Sequence, residues 1–193
     1  MIDASAFLES AHRPPSPLLL ELEQHGHKEH IPIVSRQVGR LLSALVHCMQ
    51  ANRILELGTA YGYATLWMAL ALPPAGKIWT IEPDFERTDV ARSYFERAGK
   101  AGVIEIINQP ATEILEIFPQ RNLDIIFIDT RVDEYEQYLE LCLPLLKLSG
   151  LLVLDNLLYD GAQEFNRLFL SHPQLDATII PLGDGTGIGA RIK

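Results

Sequence analysis

The stretch Arg53-Ile-Leu-Glu-Leu-Gly-Thr-Ala-Tyr-Gly-Tyr-Ala-Thr65 decides the fold of this chain. A short apolar run comes first, two glycines follow, and the apolar run of residues 66–72 comes after them. This order predicts a strand, a tight turn and a helix. Gly58 and Gly62 allow the backbone to turn sharply and to approach a ligand, and the helix behind them begins with free N–H groups.

A second signal is Glu82, which follows the next strand-like run at residues 77–81. An acid about 20 residues beyond such a turn typically accepts hydrogen bonds from ribose hydroxyls, which indicates an adenosine-type ligand. The G-x-G-x-x-G fingerprint of dinucleotide sites is absent, and Glu56 places a negative charge where a pyrophosphate would bring its own. A ligand with an ammonium and a sulfonium therefore fits better. A nicotinamide oxidoreductase, or a turn that binds nothing, remains an alternative.

The bulk composition indicates a single globular domain over residues 1–193, with residues 1–30 as a poorly patterned lead segment. The chain is 48% apolar and 21% charged and has no uninterrupted apolar run of about 18 residues, so we expect no membrane span. Cys48 and Cys142 lie in helical apolar patterns and are expected to be reduced core thiols. Together with a first segment unlike a signal peptide, they favour a cytoplasmic protein.

Strands and helices alternate from residue 35 onward, which predicts a mainly parallel sheet with helices on both faces. Ser35 is expected to cap an amphipathic helix, a helix is expected at 134–146, and a strand at 151–154. Residues 177–182 and 187–192, joined by Gly183-Asp-Gly185, predict a final hairpin with one antiparallel strand. In the lead segment, prolines are expected to break any early helix, and the histidines of residues 25–30 to lie in a polar connecting loop rather than at a metal.

Polar residues follow two later strands at the same edge of the predicted sheet, where ligands collect in such folds. Asp129 ends the run 123–128, and Asp155 and Asn156 end the run 151–154. Two carboxylates and an amide oxygen are a donor set suited to Mg²⁺ or a similar cation. The alternative is that both aspartates cap the following helices.

Two sets of motifs resemble known families. The E-x-G-x-x-x-G pattern from Glu56 to Gly62 resembles the first motif of Rossmann-like S-adenosylmethionine-dependent methyltransferases. Phe127-Ile-Asp-Thr130 and Asp155-Asn-Leu-Leu-Tyr-Asp-Gly161 resemble the metal motifs of the cation-dependent O-methyltransferases, the catechol and caffeoyl-coenzyme A type. Segments 31–35, 143–147 and 181–185 resemble bacterial members, including those that modify 5-hydroxyuridine in tRNA.

This resemblance implies a divalent-metal-assisted O-methyltransferase acting on a hydroxylated small molecule such as a catechol, commonly as a homodimer. A tRNA acceptor is the less favoured partner, since the net charge of −9 argues against strong nonspecific binding of nucleic acid. The implied cofactor-binding residues are Val34, Glu56, Gly58, Gly62, Tyr63, Ala64, Glu82, Pro83, Ala111 and Asp129. The implied metal ligands are Asp129, Asp155 and Asn156, with Asp129 as the catalytic residue between cofactor and metal.

The chain departs from this family at three places. Ala64 stands where a serine is usual, and Gln109-Pro110 stands where a Gly-Asp pair is usual. Val132 occupies the position of the lysine that commonly serves as general base. Arg131 is adjacent, but a guanidinium remains protonated and is a poor base. Three alternatives follow: the metal alone acidifies the acceptor, the acceptor is already acidic, or the chain is a non-catalytic cofactor-binding module.

Overall fold

The computed structural model describes residues 4–193, which form seven strands and eight α-helices. The strands are β1 (Arg53–Leu57), β2 (Lys77–Ile81), β3 (Ile104–Ile107), β4 (Leu123–Ile128), β5 (Leu146–Leu154), β6 (Leu175–Ile180) and β7 (Thr186–Arg191). The helices are α1 (Ala4–Ala11), α2 (Pro17–Lys28), α3 (Arg36–Met49), α4 (Tyr63–Ala71), α5 (Phe85–Arg97), α6 (Ala111–Ile117), α7 (Tyr135–Cys142) and α8 (Gln163–Ser171). None of these helices is long and apolar enough to cross a membrane.

The strands form one sheet in the order β3-β2-β1-β4-β5-β7-β6. The first five strands in this order are parallel, and β7 is antiparallel to both of its neighbours. The predicted α/β class, the mainly parallel sheet and the C-terminal hairpin are therefore confirmed. The chain leaves β1 for β2 on one side and returns to β4 on the other, which creates the switch point where ligands bind in such sheets.

Two apolar layers hold the helices against the sheet. Helices α2 to α5 pack on one face through residues such as Leu42, Met68 and Phe95, and α6 to α8 pack on the other through residues such as Leu115 and Phe169. Every residue of β4 is buried. Because a central parallel strand is covered on both faces, β4 is apolar rather than alternating, except for the buried Asp124 near its start. Polar side chains therefore collect at the strand ends.

The lead segment differs from its prediction, because the described part of it is mostly helical. The prolines do not prevent α2: Pro17 occupies its first turn, where a missing N–H costs nothing, and the Ser16 hydroxyl accepts from Leu19 N at 3.3 Å. Leu19 and Leu22 are buried in the core. The expected polar loop at residues 25–30 is also wrong up to Lys28, since α2 continues to that residue.

Two later element boundaries, the end of α7 and the start of β5, also differ from the prediction. The helix expected at 134–146 ends as an α-helix at Cys142, since Pro144 cannot donate to it, and a 3₁₀ turn follows at Leu143–Leu145. Strand β5 then begins at Leu146, which pairs with Leu123, well before the expected start at 151. Cys142 is buried as expected, but Cys48 is exposed on α3 and the prediction of a core thiol is wrong there. Neither cysteine is in a disulfide.

Candidate functional site

A cavity of about 780 Å³ lies at the carboxyl ends of β1, β2, β4 and β5. The sequence-predicted site residues that line it are Val34, Gly58, Glu82, Pro83, Ala111, Asp129, Asp155 and Asn156. They come from six separate stretches of the chain, and the sheet brings them together because its parallel strands all end at this edge. The cavity is therefore the candidate site.

The glycine loop forms one wall of this cavity through Gly58. Its φ of +96° lies in the left-handed region, and a β-carbon there would collide with the backbone carbonyl of Asp129. Gly58 N donates to the Ile81 carbonyl at 2.9 Å, which extends the sheet register into the loop. Only glycine satisfies both the dihedral angle and the close approach between the ends of β1 and β4.

Glu82 closes the loop from the side of β2. Its carboxylate accepts from Ala60 N at 3.0 Å and from Asp84 N at 3.2 Å, and the side chain is buried. Each oxygen thus holds one backbone donor. A carboxylate has about four acceptor sites, so Glu82 can still accept from two hydroxyl groups of a ligand in the cavity.

Four predicted residues lie behind the cavity wall rather than on it: Glu56, Gly62, Tyr63 and Ala64. Gly62 precedes α4 with φ +82°, and a β-carbon there would collide with the Phe95 ring. Tyr63 is buried and donates from Oη to Glu23 Oε2 at 2.7 Å, which ties α4 to α2. These residues shape the loop from behind. Gly62 also leaves the N-terminus of α4 without a side-chain cap.

Glu56 is fully buried on the same face of β1 as Ile54. Its Oε2 accepts from the hydroxyls of Thr80, at 2.5 Å, and Thr65. Burial raises the pKa of this carboxyl to about 8, although both hydrogen bonds oppose the rise. The low-dielectric surroundings therefore disfavour the charged form of this carboxyl.

The acid pair lies where β4 and β5 end. Asn156 Nδ2 donates to Asp129 Oδ1 at 2.8 Å, and Asn156 adopts φ +66°, a conformation that asparagine tolerates better than most residues. Burial raises the pKa of Asp129 to about 6. Burial and, next, the charge of Asp129 raise the pKa of Asp155 to about 7. The predicted trio therefore converges.

The donor chemistry of this trio suits a hard cation. Neither Asp129 nor Asp155 forms an ion pair with any Lys, Arg or His within residues 4–193. Two neighbouring carboxyls held in low dielectric without a counter-charge stabilise a bound divalent cation. Nowhere in the described chain do three His, Cys, Asp or Glu side chains group to hold a metal, so a site here depends on the Asn156 oxygen as third ligand. The donors present fit Mg²⁺.

The sequence predicts that residues 1–30 and the segment around Tyr159 shape the acceptor pocket, and it does not assign Asp184 to the site. Tyr159 and Asp184 both line the cavity. Tyr159 Oη donates to Asp184 Oδ2 at 3.1 Å across the rim. Asp184 lies in the turn between β6 and β7, and its sequence signals were the glycine on either side and the resemblance of segment 181–185 to bacterial members of the family. The lead segment was expected to shape the acceptor pocket, but no residue of 4–30 lines this cavity. The lining begins at Pro32.

Val132, at the position of the absent lysine, and its neighbour Arg131 offer no base. Val132 is half-buried against the apolar layer of α6 to α8 and does not line the cavity. Arg131 does line it, but its Nη2 lies 2.7 Å from Asp133 Oδ2, and this hydrogen bond raises the pKa of the guanidinium further. The position three residues after Asp129 therefore cannot take a proton.

Comparison with known proteins identifies the family. A family model described as O-methyltransferase matches residues 9–192. A catechol O-methyltransferase from Mycobacterium tuberculosis is 30% identical over 92% of this chain and 88% of its own length. A methyltransferase structure from Geobacter sulfurreducens has a TM-score of 0.91 at 29% identity, covering 100% of this chain and 98% of that one. An O-methyltransferase from Bacillus cereus in complex with SAH has a TM-score of 0.85 at 26% identity, covering 96% of both chains. The motif resemblance is thus confirmed, and the chain belongs to the O-methyltransferase family of the catechol O-methyltransferase type.

Proposed function

We propose that this cavity binds S-adenosylmethionine at its Glu82 end and a hydroxylated, catechol-like acceptor with a divalent cation at its Asp155 end. The observation that carries the proposal is the convergence of Asp129, Asp155 and Asn156. These three residues line the same cavity as Gly58 and Glu82, at its opposite end. The family match supports methyl transfer over hydride transfer to a nicotinamide, and the Bacillus cereus relative was solved with SAH, the demethylated cofactor.

The cofactor-binding half of the proposal rests on Glu82 and the glycine loop. Glu82 accepts from the ribose hydroxyls with the lone pairs that Ala60 and Asp84 leave free. Gly58 permits the cofactor to approach the backbone, while Val34, Pro83 and Ala111 provide apolar walls. Asp129 lies between this half and the metal half, where it accepts from the cofactor's ammonium.

The acceptor-binding half of the proposal rests on Asp129 and Asp155. Asp129, Asp155 and the Asn156 oxygen would hold the cation, which would lower the pKa of the acceptor hydroxyl. Asn156 orients Asp129 through its amide, and the Tyr135 hydroxyl donates to the Asp155 carbonyl at 3.0 Å, which fixes the end of β5. Positioning the acceptor oxygen in line with the methyl group supplies roughly 7–11 kcal/mol at best.

Val132 leaves the acceptor proton without a lysine to receive it. Since no lysine stands there, the proton leaves to solvent, and the rate follows the ionised fraction of the acceptor hydroxyl. The same valine favours the second candidate function, a non-catalytic module that binds the cofactor without turnover. An acceptor that is already acidic would make the lysine unnecessary.

The deciding experiment measures methyl transfer to catechol with and without a chelator. We expect activity to disappear with EDTA and to return with Mg²⁺ or Mn²⁺. Asp155→Ala should abolish activity, whereas Asp176→Ala, an exposed aspartate of β6, should not change it. The rate should rise with pH, and Val132→Lys should increase it at neutral pH.

Chelator-insensitive methylation would remove the metal from the proposal. Cofactor binding without methylation of any acceptor under any metal condition would favour the non-catalytic module. The acceptor screen should include tRNA with 5-hydroxyuridine. We expect no reaction with it, because the cavity is lined by five carboxylates and only two guanidinium groups, namely Glu82, Asp129, Glu134, Asp155, Asp184, Arg87 and Arg131.

We also propose a cytoplasmic location. Both Cys48 and Cys142 are free thiols, and one of them is exposed. Free thiols are more common in reducing compartments. Fractionation of cells that express the tagged chain, with a periplasmic or secreted marker as reference, tests this location.

A further inference from the structure

The buried carboxyl of Glu56 is incompletely hydrogen-bonded. Both of its hydroxyl partners, Thr65 and Thr80, contact Oε2, and Oε1 is buried without a partner. Thr80 also shares a 2.6 Å hydrogen bond with Thr59 of the glycine loop. Glu56 is thus linked to the loop through hydroxyl groups alone. A buried polar atom without a partner is costly, so its retention requires an explanation.

The charges around Glu56 are all negative. Strand β2 presents Thr80 and ends at Glu82, β4 presents Phe127 and ends at Asp129, and α4 presents Thr65. Asp129 and Glu82 both oppose ionisation of Glu56, and burial opposes it most. Within residues 4–193, Glu56 has no ion-pair partner. The two guanidinium groups that line the cavity pair with other carboxylates, Arg87 with Asp84 at 3.3 Å and Arg131 with Asp133 at 2.7 Å, so neither neutralises Glu56.

We propose that Glu56 is protonated in the free chain at neutral pH and releases its proton to solvent when the cationic cofactor binds. The inference rests on the proposed cofactor site, which places an ammonium and a sulfonium beside the loop that begins two residues after Glu56. An opposite charge within about 4–6 Å favours the ionised form of a carboxyl. Ionised Glu56, which lies behind the cavity wall, then stabilises the positive charge of the bound cofactor.

Two expected results distinguish a carboxyl that releases its proton on cofactor binding from one that has only a structural role. The affinity for S-adenosylmethionine should increase with pH between about 6 and 8, by up to about tenfold per pH unit, since protons and cofactor compete. S-adenosylhomocysteine keeps the ammonium but lacks the sulfonium charge. It should therefore release fewer protons and gain less affinity over the same range.

Calorimetry of cofactor binding in EDTA at pH 7, repeated in buffers of different ionisation enthalpy, counts the released protons. Glu56 should contribute up to about 0.9 proton, and the ammonium of free cofactor, with a pKa of about 7.7–8.0, is mostly protonated beforehand. Since Asp129 and Asp155 can also release protons, the deciding quantity is the difference between the wild-type chain and Glu56→Gln. Glu105→Gln, an exposed partner of Lys77, is the control and should match wild type.

An equal proton count in wild type and Glu56→Gln would overturn the inference. A second measurement needs no variant: with ¹³C at the glutamate side-chain carboxyl, one protonated glutamate should be visible by NMR at pH 7 and shift to the ionised position on binding. If every glutamate is already ionised in the free chain, the inference fails while the cofactor site stands. If neither ligand binds to the wild-type chain, the proposed function fails as well.

Discussion

At the scale of single residues, Glu82 is the side chain on which the cofactor proposal depends most. Its carboxylate already joins two backbone donors from the loop and the start of α5. This arrangement fixes its position before any ligand arrives. The ligand then meets a preorganised acceptor and does not have to order it.

We expect Glu82→Ala to weaken S-adenosylmethionine binding by about 1–3 kcal/mol, the cost of losing a charged acceptor in a buried site. Glu82→Gln should lose less, because the amide keeps one acceptor oxygen. Calorimetry measures both affinities, and circular dichroism checks that each variant is folded. Wild-type affinity in Glu82→Ala would show that the ribose is held elsewhere.

The convergence of Asp129, Asp155 and Asn156 could be predicted from the sequence, because each follows an apolar run and parallel strands end at one edge. The position of Asp184 could not. It depends on β7 inserting beside β5, a long-range pairing that no local pattern encodes. The position of Glu56 behind the cavity wall could not be predicted from the sequence either. The period of β1 sets which face it occupies, but only packing against α4 shows that the cavity does not reach it.

At the scale of elements, the start of α3 is the clearest agreement between sequence and structure. The Ser35 hydroxyl accepts from Val38 N at 3.3 Å, as the capping pattern predicts. The lead segment is the clearest disagreement. A proline inside a helix disrupts it, but one in the first turn does not, and the sequence pattern did not reveal that Ser16 begins α2.

Removal of this cap gives a stability prediction. Ser35→Ala should lower the free energy of unfolding by about 1 kcal/mol, since the N–H of Val38 loses its partner. Ser93→Ala, on an exposed position of α5, should remain within about 0.5 kcal/mol of wild type. Urea denaturation of the three proteins measures both values. Equal losses in the two variants would contradict a capping role for Ser35.

At the scale of the whole molecule, α3 retains apolar side chains that its own chain only half covers. Leu41, Leu45 and Met49 are each partly exposed on this helix. A second copy of the chain would complete their burial. Each such side chain contributes roughly 1.5–3 kcal/mol when fully buried.

We therefore expect a homodimer in solution. Light scattering at micromolar concentration should give about twice the chain mass of 21.6 kDa. Leu41→Glu should shift the mass toward the monomer, because it places a charge on the proposed contact. A wild-type mass of 21.6 kDa at this concentration would contradict the prediction.

The position of β7 has a consequence for synthesis on the ribosome. This strand follows β6 in the chain but lies between β5 and β6 in the sheet, and it joins them through antiparallel pairs on both sides. A nascent chain that has emerged only as far as Ile180 therefore has no neighbour for β6, and β5 has an open edge. Asp184 and Thr186 emerge still later, so the rim beside Asp155 forms only after almost all of these 193 residues have left the exit tunnel. The candidate site therefore forms late in translation, when its final strand becomes available.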